Sequence, residues 1–222
     1  MLIKTERLIL RNYQPADLHD YFKLMTQEKV ANRAGFSIKS FDKLSEILKD
    51  ECRNNLKFAI VLKETNQLVG EIGLAGLDLN SREIYDISYD EYVKEIECCL
   101  LEEFWGQNIM TEAMQALVKV GIEMLELDAI VGASYTKNFA SKKVQLKCGL
   151  MPYKTDKDYI WRETGETCKV ILAKITKEQY KHIQAYKILD IYFEDDEFDD
   201  LFEDELKSIE DIINSSEDIQ EL

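Results

Sequence analysis

The chain has 222 residues, of which 45% are hydrophobic and 10% aromatic, which is enough for one substantial core but short for two full-sized domains. The formal net charge of -15 is concentrated in residues 193–222, which hold fourteen acids and one lysine, so the rest carries 29 acids against 27 bases. Because this near-neutral body has no basic stripe, nucleic-acid binding is not expected.

The cysteines and the hydropathy exclude further classes of protein. The five cysteines are Cys52, Cys98, Cys99, Cys148 and Cys168. They form no CxxC pair and have no nearby histidine at ligand spacing, so neither a disulfide framework nor a metal site is predicted. No apolar stretch approaches the ~18 residues of a membrane span, and the N-terminal MLIKTERLIL lacks the apolar segment of a secretory signal. We expect a cytoplasmic protein with reduced thiols and no membrane partner.

The first half of the chain combines strand and helix patterns. TERLILRNY alternates like a strand and ends at Pro15, where a helix over PADLHDYFKLM can begin with proline in its first turn. A second amphipathic helix is predicted over about 38–54. LKFAIVLK and LVGEIGLAGL, separated by the polar ETNQ, predict a hairpin. Residues 78–92 are too polar and irregular to assign, and either an exposed strand or a long loop would fit them.

The second half predicts a mixed α/β domain. KEIECCLL is a strand, and the polar EEFWGQNIM connects it to TEAMQALVKVGIEMLEL, whose apolar residues recur at helical spacing. AIVGASYT is a strand, and NFASKKVQLKCGL is a helix that opens at Asn138 and closes at Gly149. YKTDKDYIW and GETCKVILAKI form a terminal hairpin. The order β-α-α-β-β-β-α-β-α-β-β places helices where parallel strands need crossovers.

The C-terminal part differs in composition from this body. A helix is expected to start near Thr176, and the apolar residues between 198 and 213 follow at intervals of three and four. Such spacing gives an acidic helix one apolar face, which we expect to dock on the body, on a second copy in a homodimer, or on a basic protein partner. The predicted organisation is therefore a domain over 1–175, an acidic helical extension over 176–213 and a disordered tail over 214–222.

The segment WGQNIMTEA has the composition of an anion-binding loop at the start of a helix. Gly106 permits a positive φ, Asn108 tolerates the left-handed region, Thr111 could cap the helix and Glu112 enters its first turn. Backbone N–H groups and the helix dipole could hold a pyrophosphate there without a metal. The same residues are also consistent with an ordinary turn before a helix.

Two motifs at fixed separation favour the anion-binding interpretation. EIECCLLEEFWGQNIMTEAMQAL is followed, after one helix and one strand, by NFASKKVQLKCGL. Together with the opening TERLILRNYQPADL, they resemble the GNAT superfamily of N-acetyltransferases, in particular its branch of ribosomal-protein N-terminal (alanine/serine) acetyltransferases. The resemblance covers about residues 3–175. It implies the GNAT acyl-CoA N-acyltransferase fold, with a central, mostly antiparallel sheet splayed at the cofactor site and flanked by helices, and it implies acetyl-CoA as co-substrate with no metal.

The resemblance also implies which residues bind the cofactor. The backbone of residues 99–101 would pair with the pantetheine amides, residues 107–111 would hold the pyrophosphate, and two residues of the second motif would lie beside the pantetheine arm and the thioester. The implied cofactor-binding residues are Cys99, Leu100, Leu101, Gln107, Asn108, Ile109, Met110, Thr111, Asn138 and Ser141.

Two residues are candidates for acid and base catalysis. Glu95 matches a family glutamate near the acceptor amine and could accept its proton through a water, although a glutamate on a strand flank can equally face solvent. The tyrosine that serves many family members as general acid is Gln145 here. The branch resemblance suggests Ser141 instead, unless its hydroxyl bonds only to the backbone of its own helix.

The expected reaction is transfer of acetyl to a primary amine by direct attack in a ternary complex, because His19 and His182 complete no Cys-His or Ser-His-Asp set. The acceptor expected first is the α-amine of a protein N-terminus, with a polyamine or an aminoglycoside next. Asn108 and Glu97 stand where the family has glycine. These departures and Gln145 leave an alternative, a catalytically weakened regulatory protein that binds acyl-CoA.

Overall fold

The computed structural model describes residues 1–160, 165 and 167–190. By its internal contacts the chain divides into one compact unit, Met1–Tyr180, and a second that begins at Lys181. The predicted acidic helix beyond residue 190 and the tail over 214–222 lie outside the described residues. Within the described part, no helix is long and apolar enough to cross a membrane.

Eight strands and seven α-helices make up the described chain. The strands are β1 (Leu2–Lys4), β2 (Leu8–Arg11), β3 (Lys57–Leu62), β4 (Leu68–Gly76), β5 (Val93–Leu100), β6 (Ala129–Tyr135), β7 (Met151–Ile160) and β8 (Thr167–Thr176). The helices are α1 (Leu18–Met25), α2 (Glu28–Ala34), α3 (Phe41–Glu51), α4 (Leu79–Ile84), α5 (Ile109–Lys119), α6 (Phe139–Lys147) and α7 (Lys177–Asp190). Short 3-10 turns at Pro15–Asp17 and Glu102–Phe104 and a π-helical turn at Val120–Met124 complete the set.

The strands form one sheet in the order β1-β2-β3-β4-β5-β6-β8-β7. All neighbouring pairs are antiparallel except β5 and β6, which are parallel and are joined by the crossover through α5. The predicted mixed α/β fold, with its mostly antiparallel sheet and flanking helices, is confirmed.

Helices α1 and α3 cover one face of the sheet because each buries a regular apolar stripe. Ser40 caps α3 by accepting a hydrogen bond from the Lys43 N–H, and α3 then buries Leu44 and Leu48 one turn apart. These side chains pack with Tyr21 of α1 against strand residues that include Cys99. The opposite face is covered by the chain that follows α5, where a Cβ on Gly121 would come within 2.7 Å of Ile130 and 3.5 Å of Leu74.

Several short elements escaped the sequence prediction. Strand β1 has three residues, and α2 has seven with a mixed pattern, ending at Gly35 in the left-handed region with φ 75°. The unassigned stretch 78–92 contains α4, which Asp78 caps by accepting a hydrogen bond of 2.8 Å from the Ser81 N–H. Because β1, α2 and α4 are short and have few apolar residues, tertiary packing rather than a local sequence pattern decides their structure.

Candidate active site

The sheet opens between its two parallel strands. The pairing of β5 with β6 covers Val93–Glu95 and Ala129–Val131, yet β5 continues to Leu100 and β6 to Tyr135. A cavity of about 570 Å³ lies where the strands have separated, and both strands, α2, α3, α5 and α6 contribute residues to its wall. The volume is within the usual range for small-molecule and cofactor sites.

Glu95 lies at the point where the two strands separate. Its side chain lines the cavity although the residue is only 5% exposed. Its Oε1 accepts a hydrogen bond of 2.7 Å from the Tyr85 hydroxyl and a longer one of 3.5 Å from the Tyr159 hydroxyl. Burial, and then the neighbouring Glu95 carboxylate, raises the pKa of Tyr85 well above its ordinary value, so Tyr85 stays a donor at neutral pH.

Further carboxylates line the same side of the cavity. Because side chains alternate along a strand, Glu97 shares a face with Glu95, about 7 Å further along β5. Glu71 is paired with Cys99 across β4 and β5, and it is buried. Lys57 contacts Glu71 at 3.3 Å and a second carboxylate, that of Glu51, at 3.2 Å. Four carboxylates therefore lie near Lys57, and Arg33 and Lys39 also line the cavity.

The lysine within this group stays charged. Burial by itself lowers the pKa of Lys57, but the carboxylates of Glu71 and Glu51 outweigh burial and raise it. Glu71 also accepts a hydrogen bond of 2.9 Å from the Tyr13 hydroxyl. Glu71 is thus held by two donors, whereas Glu97 is exposed on the cavity wall.

The loop before α5 has the predicted left-handed turn. Gly106 has φ 74°, and Asn108 adopts φ 56° and ψ 15° as the N-cap residue. Asn108 is the N-cap of α5, three residues before the expected cap, so the prediction that Thr111 caps the helix is wrong: the Asn108 carbonyl already accepts from the Glu112 N–H at 3.0 Å. Ile109, Met110 and Thr111 line one end of the cavity, and the N–H groups of a first helical turn have no partner within the helix.

The N-terminal segment supports this loop from outside the cavity. Glu112 accepts hydrogen bonds from the Thr5 hydroxyl at 2.5 Å and from the Arg7 backbone N–H at 2.8 Å. The Arg7 guanidinium binds Glu112 through Nε at 2.7 Å and donates from Nη1 to the Gln107 carbonyl at 3.0 Å. These contacts fix the backbone around Asn108 before any ligand binds.

Helix α6 forms the other wall of the cavity. Asn138 caps it, with Oδ1 accepting from the Ser141 N–H at 3.2 Å, as predicted. Ser141 and Gln145 both line the cavity, and the Gln145 amide lies 3.5 Å from the Ser141 Oγ. At the loop end, exposed Lys147 donates to the Asn108 Oδ1 at 3.4 Å. Lys143 lines the cavity one turn earlier on the same helix.

The family model for the acetyltransferase (GNAT) domain matches residues 7–151, more than half of the chain. The chain belongs to the GNAT acetyltransferase family. The family uses acetyl-CoA, and the left-handed loop, the N-terminus of α5 and the two lysines of α6 fit a ligand with a pyrophosphate.

Individual GNAT relatives are distant. The uncharacterized N-acetyltransferase YoaA of Bacillus subtilis is 22% identical over 167 residues, which cover 72% of this chain and 89% of the relative. A ribosomal-protein-S5-alanine acetyltransferase from Vibrio fischeri matches with TM-score 0.62 and 16% identity, over 80% of this chain and 97% of that chain. A spermidine N-acetyltransferase from Vibrio cholerae, in complex with CoA and spermine, matches with TM-score 0.64 and 17% identity, over 79% of this chain and 99% of that chain. At these identities the two structures share the fold.

Most, but not all, of the cofactor-binding residues that the resemblance implies line this GNAT cavity. Those on its wall are Cys99, Leu100, Asn108, Ile109, Met110, Thr111, Asn138 and Ser141. Leu101 instead packs in the core beneath α1 and α3, and its N–H donates to the Val69 carbonyl at 2.9 Å. Gln107 is also absent from the wall, and its side-chain amide donates to the Glu103 carbonyl at 2.9 Å.

The two cysteines of β5 both line the cavity, Cys99 buried and Cys98 half-buried. Burial, followed by the Glu71 and Glu97 carboxylates, raises the pKa of the Cys98 thiol to about 12. Burial and Glu71 also raise the pKa of Cys99 well above its ordinary value. Because only a thiolate is strongly nucleophilic, neither side chain is suited to carry an acyl group at neutral pH.

Several residues of the site gave no signal in the sequence. Tyr85 and Tyr159 are distant from Glu95 along the chain, and Glu71 and Lys57 belong to a hairpin that had only strand character. Trp105 packs beneath the loop, and its indole N–H donates to the Leu100 carbonyl at 2.8 Å.

Proposed function

We propose that the chain transfers acetyl from acetyl-CoA to a primary amine by direct attack in a ternary complex. The observation that carries this proposal is the separation of β5 and β6 at the pair Glu95–Val131, which places a buried carboxylate at the apex of an open cleft. The exposed strand edges leave backbone groups for an extended ligand, and the carboxylate stands beside the place where its acyl end would lie.

The phosphate end of acetyl-CoA would bind at the N-terminus of α5. Asn108, in the left-handed region, is the N-cap of α5, the first turn lines the cavity, and the helix dipole favours an anion there. Lys143 and Lys147 add two cations on the adjacent helix. The pantetheine arm would then run along Cys99 and Leu100 of β5 and past Asn138 and Ser141 of α6.

Glu95 would accept the proton that the acceptor amine must lose. The neutral nitrogen attacks the thioester carbonyl carbon, a C–N bond forms, the C–S bond breaks, and the coenzyme A thiolate departs and takes up a proton. In this proposal the amine proton passes to Glu95, directly or through one water, and the Ser141 hydroxyl donates towards the departing sulfur. The tyrosine hydroxyls on Glu95 hold its carboxylate in place.

The acceptor would be an amine with additional positive charge. Glu95, Glu97 and Glu71 line one face of the cleft, and their charge favours a cationic ligand. A protein N-terminus next to a basic residue and a polyamine both meet this requirement. The structural neighbour from Vibrio fischeri is named for a ribosomal-protein alanine, and the one from Vibrio cholerae for spermidine.

A panel of amines tests both the activity and the acceptor class. Thiol release from acetyl-CoA would be measured with spermidine, an aminoglycoside, a peptide with a free basic N-terminus, and two matched controls: the same peptide with a blocked N-terminus and a monoamine of similar length. Release with the cationic amines and not with the controls is the expected result. Binding of acetyl-CoA without release for any amine would support the regulatory alternative, which Gln145 keeps open.

A further inference from the structure

A serine on β6 has an environment that the chemistry above does not use. Ser134 is 3% exposed, and among the described residues its Oγ is the one buried side-chain oxygen or nitrogen without a hydrogen-bond partner. Leaving a buried hydroxyl unsatisfied costs roughly 1–3 kcal/mol, so such a group calls for an explanation.

The position of Ser134 shows where its hydroxyl can find a partner. Ser134 lines the cleft, in the part of β6 that has separated from β5. Its backbone is fixed from the other side by pairing with Ile171 of β8. If the register of the parallel pair continued, Ser134 would lie opposite Cys98, three residues or about 10 Å beyond the last pair. An extended ligand bound between the two strands would pass directly beside Ser134.

The neighbours of Ser134 in the cleft wall are a glycine and a weakly bonded amide. Gly132 precedes it on the same face, and a Cβ there would already come within 3.2 Å of the Ile96 Cγ2 and 3.5 Å of the Gln145 Nε2. The Gln145 amide has long hydrogen bonds, 3.5 Å to the Ala133 carbonyl and 3.5 Å to the Ser141 Oγ. The cleft wall thus combines an unsatisfied hydroxyl with weakly bonded polar neighbours.

We propose that Ser134 is a further cofactor-binding residue, whose hydroxyl donates a hydrogen bond to an amide carbonyl of the pantetheine arm. The inference rests on the proposed function, because it requires acetyl-CoA in the cleft. The distance of about 10 Å from the apex at Glu95 places the contact on the arm and away from the reacting thioester. The bond contributes to binding of coenzyme A with or without its acetyl group.

The substitution Ser134→Ala tests this proposal, because it should not lower the stability of the ligand-free protein but should weaken cofactor binding. Removing an unsatisfied buried hydroxyl should raise the melting temperature of the ligand-free protein or leave it unchanged. The same substitution should weaken binding of acetyl-CoA and of coenzyme A equally, by roughly 2- to 10-fold, as loss of one neutral hydrogen bond predicts. The turnover number at saturating acetyl-CoA should stay within about twofold of the wild type, as for any contact made equally in ground and transition states.

A matched control is Ser81→Ala. Ser81 is also buried, but its hydroxyl donates to the Asp78 carboxylate at 2.6 Å at the cap of α4 and does not line the cleft. This control should lower the melting temperature and leave acetyl-CoA affinity unchanged. Desulfo-coenzyme A, which lacks the sulfur but keeps the arm, should show the same loss of affinity in Ser134→Ala as coenzyme A.

The outcomes separate this inference from the proposed function. If the wild type does not bind acetyl-CoA in isothermal titration, the proposed function fails. If the wild type binds and Ser134→Ala binds equally well, the function stands and the role of Ser134 is refuted. A loss that disappears with desulfo-coenzyme A would assign the contact to sulfur and overturn the assignment to the arm.

Discussion

The two faces of the sheet at the cleft differ in charge. The face towards α1–α3 carries Glu95, Glu97 and Glu71, whereas α6 on the other side contributes Lys143 and Lys147 beside the N-terminus of α5. One face therefore suits a cation and the other an anion, and the strands separate where the two meet. This difference supports our proposal that the acceptor and the cofactor approach from opposite faces of the sheet and react at the apex of the cleft.

The largest effect is expected from Glu95→Gln, which removes the proton acceptor but keeps the size of the side chain. The turnover number should fall by roughly 10²- to 10³-fold, the usual contribution of a general base. The affinity for acetyl-CoA should change less than about twofold, because Glu95 lies on the face of the sheet where the amine acceptor would bind. Steady-state kinetics and isothermal titration measure the two quantities.

Glu97→Gln is the matched control for this substitution, since Glu97 lies two residues away on the same face. It should raise the KM for a cationic acceptor several-fold and leave the turnover number close to that of the wild type. Equal losses of turnover in both variants would mean that charge on this face, and not a base at the apex, drives the reaction.

Binding of acetyl-CoA at the N-terminus of α5 should depend on the backbone conformation of residue 108. Asn108→Val places a β-branched residue at φ 56°, and the left-handed region costs such a residue about 1–2 kcal/mol. Acetyl-CoA should bind roughly 10-fold more weakly. Asn108→Gly, which adopts this region freely, should bind within about twofold of the wild type. Equal weakening in both variants would point to the asparagine side chain and its contact with Lys147.

A smaller effect on the acceptor face is expected from Tyr85→Phe, which removes the 2.7 Å hydrogen bond to Glu95. The turnover number should fall up to about 10-fold, because a hydrogen bond to a charged group contributes about 1.5–3 kcal/mol and part of that loss can relax. Tyr153→Phe is the control: its hydroxyl donates to the Tyr85 carbonyl at 2.8 Å and does not reach Glu95. A full turnover number in Tyr85→Phe would show that Glu95 needs no such support.

The last effect concerns stability at alkaline pH and involves the two thiols of β5. Cys98 and Cys99 have pKa values raised in the folded protein, so the folded state keeps protons that the unfolded chain releases above about pH 8.5. The free energy of unfolding should be flat below that pH and then fall by up to about 1.4 kcal/mol per thiol per pH unit. Urea unfolding between pH 7 and pH 10 measures it, and a free energy that rises over this range would contradict the burial of these thiols.

The sequence predicted most elements of the fold because the long ones have strong local patterns. The hairpin of β3 and β4, the strand β5 and the capped helix α6 have such patterns and were predicted. The short β1, α2 and α4 were not, because a few residues cannot carry a period and tertiary contacts stabilise them. The left-handed turn at Asn108 was predicted, but the helix start was placed at Thr111, because Ile109 and Met110 gave no sign of being its first residues.

The sequence predicted residues of the candidate site only where they belong to a recognisable motif. Glu95, Asn138 and Ser141 belong to two such motifs, and all three line the cleft. Tyr85 could not be predicted, because it meets Glu95 through the packing of the irregular stretch 78–92. Ser134 also gave no signal: a serine in a strand is common, and only the burial of its hydroxyl in the cleft sets it apart.

The most direct test of the account is to mix the full chain with acetyl-CoA, with and without a cationic primary amine, and to follow free thiol, amine mass and protein mass together. We expect thiol release only when the amine is present, one acetyl group gained by the amine for each thiol released, and no acetyl group on the protein. Thiol release without amine together with an acetylated protein would contradict direct attack, and saturable binding without release for every amine tested would contradict acetyl transfer itself.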